Sequence, residues 1–422
     1  MNNKRSKYKR VFENLFSFPG YKLFDLKENE NDILVILKKV GTSKCPVCGS
    51  DQTTIEETYT RTIRDLNLRQ KTSNIQFEEN KIRCSCGYRG IEYLCFVRPY
   101  SRCSVALEDE IALCTQRMTI TDASLIWHLD WKTIKDIDKR SIQDNVVDLK
   151  TINPTIIGVD EIAYQKGHKY LTVVRDIPAR KVIWIGVNRK TETLDAFFQE
   201  LGPEKSMKIQ ICCMDMWDPY IASVVKNTKA DIVFDKFHVI KKINELLDKI
   251  RRKVFAQADK ETRKLMKHKR FLILHRRKNL TDEKDIESLE QLLETNEPLY
   301  KAYILKEEIA DIFDEMDADS EIARLEQWFQ NVIDSGIEEF LPIVSMIRNY
   351  LYGIHNYFKH KLTNAGSEGF NNKINVIKRA AYGFRDLEYF KLKILQQCGG
   401  INHPTIKRYK VPSSVRCCNT FC

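Results

Sequence analysis

Apolar positions along this chain fall into three regimes. In DILVILKKV (Asp32 to Val40) and NIQFEENKIRC (Asn74 to Cys84) they run or alternate at strand spacing, which predicts two β-strands, each leading into cysteines. From Ser104 to about Asn145 the period turns helical. VALEDEIALCTQRM predicts one helix, and ITDASLIWHLDWKTIKDIDKRSI two short ones, with Thr121 as cap of the first and a break near Asp130. The third regime is mixed. TIIGVDEIA, KYLTVVRDI and ARKVIWIGV predict an antiparallel three-strand meander, and TETLDAFFQELG a helix from Thr191 to Leu201 ended by Gly202. KIQICCMDMW then predicts a strand and DPYIASVVKN a helix. DIVFDKFHV predicts a short strand with Asp235 and His238 at its end. Between about Lys241 and His360 the pattern is helical and charged, with no strand signal. A last helix follows Leu362 and carries Glu368 near its start.

A three-strand meander, a crossover helix, then strand, helix and strand is the order of a ribonuclease H-like fold, in which the first and fourth strands lie side by side. Asp160 and Asp215 each end one of those strands, so this order brings two carboxylates together. The expected fold is therefore a multidomain α/β chain: a ribonuclease H-like core with a long all-helical insertion, preceded by a zinc ribbon and a helix-turn-helix.

Charge adds a partner. Lysine and arginine number 69 against 58 acids, a net charge of +11, and such an excess suits a polyanion. No apolar stretch has the length of a membrane span, and the basic start MNNKRSKYKR is followed by no signal-peptide core, so a soluble, cytoplasmic, nucleoid-associated protein is expected. In that setting the 13 cysteines point to metal ligation and free thiols rather than disulfides. The closing SVRCCNTFC is expected to be a flexible tail.

Three groups of residues carry candidate chemistry. Cys45 and Cys48 at C-x-x-C spacing before Gly49, with Cys84 and Cys86 before Gly87, form two knuckles able to close a tetrahedral structural Zn²⁺ site; Cys95 is an alternative fourth ligand. At the start of the second helix of the helix-turn-helix, Lys132, Thr133 and Lys135 are placed to meet double-stranded DNA, with Arg140 further along the helix. Third, Asp160, Asp215 and Glu368 suit two Mg²⁺ (or Mn²⁺) ions, hard cations that take oxygen ligands and act on phosphate esters. Lys373, Lys378 and Arg379, which follow Glu368, suit the phosphodiester backbone. The basic run from Arg263 to Lys278 is either a solvated helix face or a phosphate path.

The GVDE, MDMWDPY, DKFHV and TNAGSEGFNNKINVIKRAAYGF stretches resemble those of insertion-sequence transposases of the ISL3 family, which carry a DDE nuclease domain. The resemblance runs from the CPVCG knuckle to about Leu395. It implies Asp160, Asp215 and Glu368 as the catalytic triad, a zinc-binding segment, a helix-turn-helix that binds transposon ends, and a helical insertion between the second Asp and the Glu. The second cysteine pair, C-x-C, is tighter than is common in relatives. The expected domains are a zinc ribbon over 1–100, the helix-turn-helix over 101–150, the catalytic domain over 151–240 and 361–400, the insertion over 241–360 and the tail over 401–422. The implied activity is binding of terminal inverted repeats, metal-dependent cleavage and strand transfer by a dimer or larger homo-oligomer. A non-catalytic DNA-binding regulator and a purely hydrolytic nuclease are the alternatives. Asp218, Asp235 and His238 are expected to shape or support the site, and strand alternation predicts that Glu161 points away from Asp160.

Overall fold

A computed structural model describes residues 18–165, 167–315, 320–362 and 366–401. The basic start, Asn364 and the tail beyond Ile401 lie outside them. The chain divides into two compact units, one running to Val146 and the other spanning Val147–Gly400.

The first unit begins with a five-stranded sheet: β1 (Tyr21–Glu28), β2 (Asp32–Lys39), β3 (Thr53–Leu68), β4 (Lys71–Cys84) and β5 (Arg89–Ile91), in the order β1-β2-β4-β3 with β5 also on β4. Val35, Ile63, Ile75 and Phe77 alternate inward and close a core with Tyr21 and Phe96. Sequence pattern predicts only β2 and β4. β3 escapes because nearly all of its side chains are exposed or half-exposed, with Ile63 alone buried, so it shows no alternation to read.

Three helices follow: α1 (Val105–Cys114), α2 (Ile120–Trp127) and α3 (Trp131–Gln143). Leu107, Ile111, Ala123, Trp127, Ile134 and Ile137 pack between them. The cap of α2 is Thr119 rather than Thr121. The Thr119 hydroxyl accepts from the Asp122 N–H while Asp122 reaches back to the Thr119 N–H, a capping box that begins two residues earlier than expected. Asp130 caps α3, accepting from the N–H groups of Lys132 and Thr133 at 2.9 and 3.4 Å.

The second unit holds a sheet of β6 (Ile156–Gln165), β7 (Lys169–Asp176), β8 (Lys181–Val187), β9 (Ile211–Met214) and β10 (Asp231–Phe234), in the order β10-β9-β6-β7-β8. β6, β7 and β8 are an antiparallel meander, whereas β9 and β10 run parallel to β6. The fourth strand of this sheet is thus the neighbour of the first, as expected. Helices cover both faces. On one, Leu194, Phe197 and Leu201 of α4 (Thr191–Leu201) and Tyr220 and Val224 of α5 (Asp218–Asn227) pack on Val159 and Val174. On the other, Ile374, Ile377, Phe390 and Ile394 pack on Ile162, Val173 and Ile185.

β10 stops at Phe234, and the chain enters α6 (Lys236–Gln257) at once, with Asp235 as N-cap and His238 inside the first turn. The long helix therefore starts ahead of the Lys241 expected from pattern. The helices that follow, up to α7 (Leu351–His360), bury Ile243, Leu247, Leu299, Tyr303, Trp328, Phe340 and Tyr357 in one core that reaches Cys213 and Val233 of the sheet. α7 returns along β10. A Cβ on Gly353 would stand 2.3 Å from the Phe234 ring, so only glycine permits this approach, and Asn356 donates to the Ile232 carbonyl of the sheet's outer strand at 2.9 Å. The last two helices are α8 (Gly366–Ala380), which carries Glu368, and α9 (Leu387–Ile394).

Candidate active site and metal centre

In the first unit, Cys45, Cys48, Cys84 and Cys86 bring their sulfurs within 4.8 Å of one another. The Cys45–Cys86 and Cys48–Cys84 separations are 3.6 and 3.5 Å. The edge of a tetrahedron with Zn–S of about 2.3 Å is about 3.8 Å, so four thiolates here fit Zn²⁺. Gly49 and Gly87 take positive φ values of 74° and 92°, conformations that let each knuckle turn back on its first cysteine. The Cys86 backbone N–H is the first cause that pulls the Cys84 thiol down to about 7. C-x-C is therefore not too tight. Cys86 completes the cluster, and Cys95 stands outside it as an exposed thiol.

On α3, Lys132 is exposed and Thr133 half-exposed at the N-terminal end, and Lys135 lies 5.8 Å from the centroid of the exposed Trp131 ring. Arg140 is differently employed. Its guanidinium bonds the buried Glu108 carboxylate of α1 at 2.6 Å, which fastens two helices of the bundle together.

The second unit places the carboxylates. β6 and β9 run in parallel register with Gly158 opposite Cys213. Carried two residues further, that register sets Asp160 level with Asp215 just past the end of β9. Asp160, Asp215 and Glu368 line one open cleft of about 710 Å³, together with Asp235, His238 and Asn371 and, from the insertion, Arg276, Lys278 and Asp314. Among the described residues the four cysteines are the one group of three or more His, Cys, Asp or Glu side chains whose ligand atoms all lie within 4.8 Å. The three carboxylates are spread more widely than that, as ligands shared between two ions about 4 Å apart can be.

Two of the three acids, Asp160 and Asp215, have positioning contacts. Asn371, one helical turn after Glu368 on α8, donates to Asp160 Oδ2 at 2.8 Å, and the Glu161 N–H donates to Asp160 Oδ1 at 2.7 Å. His238 Nε2 sits 2.5 Å from Asp215 Oδ1. That contact is one of charge and closeness, off the line of a directed hydrogen bond, and leaves a buried carboxylate oxygen without a proper donor. Burial first, and then the Asp215 charge, push the Asp160 carboxyl above its ordinary range. Burial works to lower the His238 pKa, but the adjoining Asp215 outweighs it and the imidazole is raised. Crowded acids, one with an under-bonded oxygen, form a donor set that a hard cation relieves.

Glu161 departs from expectation. It lines the same cleft as Asp160, because the β9 pairing of β6 ends at Gly158 and leaves the strand edge open beyond it. Its carboxylate bonds Arg189 Nη1 at 3.0 Å. Asp218 is turned to the Tyr350 hydroxyl, which donates to it at 2.8 Å.

The basic residues after Glu368 are partly occupied. Lys378 donates to the Ala163 carbonyl at 3.1 Å and Lys373 to the Gln397 carbonyl, whereas Arg379 is exposed. The basic run of the insertion is mostly exposed, but several of its cations have partners within their own unit. Arg276 pairs with Glu307, Asp311 and Asp314, Lys278 with Asp314, Arg270 with Asp248, and Arg263 donates to the Phe255 and Ala256 carbonyls. His238 stands beside Asp215 in the supporting position expected of it, whereas Asn371 is the site contact that sequence pattern assigns no role; its spacing three residues after Glu368, on one helix face, was the available signal.

An α/β unit with a carboxylate-lined cleft, in a chain that also carries a cysteine cluster and a three-helix bundle, is the ground on which comparison with known proteins gives the family. Residues 157–394, more than half the chain, match a family described as transposase, of the DDE type in ISL3 elements. Residues 92–142 match the helix-turn-helix domain of transposase family ISL3, and residues 42–86 the zinc-finger of transposases IS204/IS1001/IS1096/IS1165. The chain is 31% identical over 396 residues to the transposase for insertion sequence element IS1001 of Bordetella parapertussis, covering 92% of this chain and 97% of that one. It is 26% identical over 337 residues to the transposase for element IS1557 of Mycobacterium tuberculosis, covering 74% and 75%. The chain belongs to the ISL3 family of transposases.

Proposed function

We propose that this transposase binds the terminal inverted repeats of its own element through α1–α3, cleaves there with a ribonuclease H-like core, and joins the freed ends to target DNA. Asp160, Asp215 and Glu368 are assigned as the catalytic, metal-holding acids, with Mg²⁺ or Mn²⁺ as the ions. Two such ions, when bound, supply charge neutralisation and Lewis-acid activation at the scissile phosphate. The chain's own contribution is placement: Asn371 orients Asp160, His238 orients Asp215, and the β6–β9 register sets the two acids side by side. Hydrolysis frees a 3′-hydroxyl. Its oxygen then attacks a phosphorus of the target, and one phosphodiester is exchanged for another.

The observation that carries this reading is that Asp160, Asp215 and Glu368 line one cleft at the end of the parallel β6–β9 pair, with the Glu368 helix tied to Asp160 through Asn371. The zinc ribbon holds one structural Zn²⁺, and Lys132, Thr133 and Lys135 meet DNA, with the exposed Arg379 contributing. Arg140, Lys373 and Lys378 are bound up in packing and contribute less. We assign the ribbon to 1–100, the helix-turn-helix to 101–150, the catalytic domain to 151–240 and 361–400, and the insertion to 241–360. Pairing two ends calls for a dimer or larger assembly, working on chromosomal DNA in the cytoplasm. Asp160→Asn should leave end binding within about twofold and abolish Mg²⁺-dependent nicking of DNA carrying the repeats that flank the gene. Nicking by that variant would overturn the assignment. A wild-type protein that binds but never cuts would be a regulator, and one that cuts without joining products to a target plasmid would be a nuclease.

A further inference from the structure

A second groove, of about 460 Å³, lies beside the carboxylate cleft and is lined by His168, Tyr170, Asn188, Arg189, Lys190 and Trp217, among others. Its centre is a stack. The Arg189 guanidinium carbon lies 4.2 Å from the Tyr170 ring centroid and 4.5 Å from that of Trp217, so the cation is held between two aromatic faces. His168 continues the row, its ring centroid 6.4 Å from that of Tyr170. The stack is braced from below, since Trp217 Nε1 donates to the Arg189 carbonyl at 3.0 Å. It also adjoins the cleft: Arg189 bonds Glu161, which lines the cleft, and Trp217 follows Asp215 by two residues.

Trp217 leans on the core of the sheet, whereas Tyr170 is half-exposed and belongs to no core cluster, and beside it lie an exposed lysine and an exposed asparagine; this outer part of the stack suits neither a packed core nor a duplex backbone alone. A flat π-surface outside the core favours an unstacked base, and the adjacent cations favour the phosphate that accompanies it. Asn188, held at φ 78°, presents a side-chain amide to the same space, where it can bond a base edge.

We infer that the Tyr170–Arg189–Trp217 stack is a subsite for an unpaired base of the DNA strand that leaves the catalytic cleft. The inference rests on the transposase reading and specifies where one strand goes after it passes Asp160 and Asp215. It assigns the groove to single-stranded rather than duplex DNA.

The test uses the full-length protein and two probes that share one duplex, one blunt and one with a five-nucleotide overhang carrying 2-aminopurine, whose fluorescence falls on stacking. Binding is measured in Ca²⁺, and Mg²⁺-dependent nicking is assayed in the same preparation. Wild-type protein should quench the overhang and bind it more tightly than the blunt duplex. Tyr170→Ala should weaken overhang binding about 5- to 100-fold and abolish the quench, with blunt-duplex binding unchanged. Trp217 also packs against the sheet core, so Trp217→Phe is its gentler counterpart and should keep most of the quench. Equal loss on both probes, or no loss in a folded Tyr170→Ala protein, would overturn the subsite. Nicking without overhang preference refutes the subsite and spares the transposase reading. Overhang quenching without nicking does the reverse.

Discussion

Asn371 joins the two halves of the candidate site, because it comes from the helix of Glu368 and bonds the acid of β6. Asp160 is buried and its carboxyl is raised by burial and by Asp215, so its ionised form depends on the donors it has. Asn371→Ala removes one of the two. The expected result is a rise of about 10- to 100-fold in the Mg²⁺ concentration needed for half-maximal cleavage, the range usual for partners of metal-holding residues. The melting temperature should hardly move, since Asn371 is itself only half-buried. An unchanged metal requirement would remove Asn371 from the site. Glu161 calls for the opposite expectation although it shares the cleft. Its carboxylate is committed to Arg189, and Glu161→Gln, which can still accept that bond, should keep cleavage within about tenfold while Asp160→Asn shows none. At this scale the sequence discloses acids but not their neighbours. Asp160 and Asp215 announce themselves at the ends of apolar runs, and His238 follows a third such run, whereas Asn371 matters only because a helix from elsewhere arrives beside Asp160.

Elements are legible where one face is apolar and the other is not. α4 ends at Leu201 with Gly202 at φ 92°, as its pattern predicts, whereas β3, with charged and polar residues on both faces, leaves no such trace. The pairing of α4 with α5 is also set by a feature no period reveals. Asp195 of α4 is buried and accepts from Ser223 Oγ at 2.6 Å, Lys226 Nζ at 2.6 Å and Asn227 Nδ2 at 2.7 Å, all on α5. Burial works to raise this carboxyl, but its three donors outweigh that and hold it below the usual range. The Lys226 bond leads the three, followed by Ser223 and Asn227; because Lys226 is exposed, its share is screened by solvent. A carboxylate whose pKa is lower in the folded state stabilises at neutral pH, and that stabilisation is lost as pH falls from the unfolded value of about 3.9 through the folded one. Asp195→Ala should therefore cost about 2 kcal/mol at pH 7, read from denaturant unfolding, and the gap to wild type should narrow below pH 4. A gap that stays constant down to pH 3 would mean that the carboxylate's charge has no part in it.

At the scale of the whole molecule, the net charge of +11 predicts a polyanionic partner but not where it binds, because much of the basic run from Arg263 to Lys278 is spent on acids and carbonyls of its own unit. What sequence does show is the division of labour between a cysteine-bearing start and an acid-bearing core. The structure places these in different compact units, the first running to Val146 and the second spanning Val147–Gly400. The cysteine cluster ties the chain ahead of β3 to the β4–β5 turn, and only a small core, Ile82 with the cysteines and the partly buried Tyr88, surrounds it. So small a core needs an ion, and its binding energy is then folding energy. Heating the full-length protein should give two transitions. A Zn²⁺ chelator should lower or erase the first and leave the second in place, and Cys48→Ser should mimic the chelator. Loss of the first transition should take end-specific DNA binding with it, since α1–α3 belong to the same unit. A first transition that chelation does not move, in protein shown to have bound Zn²⁺, would mean that the four thiols hold the ribbon through packing alone.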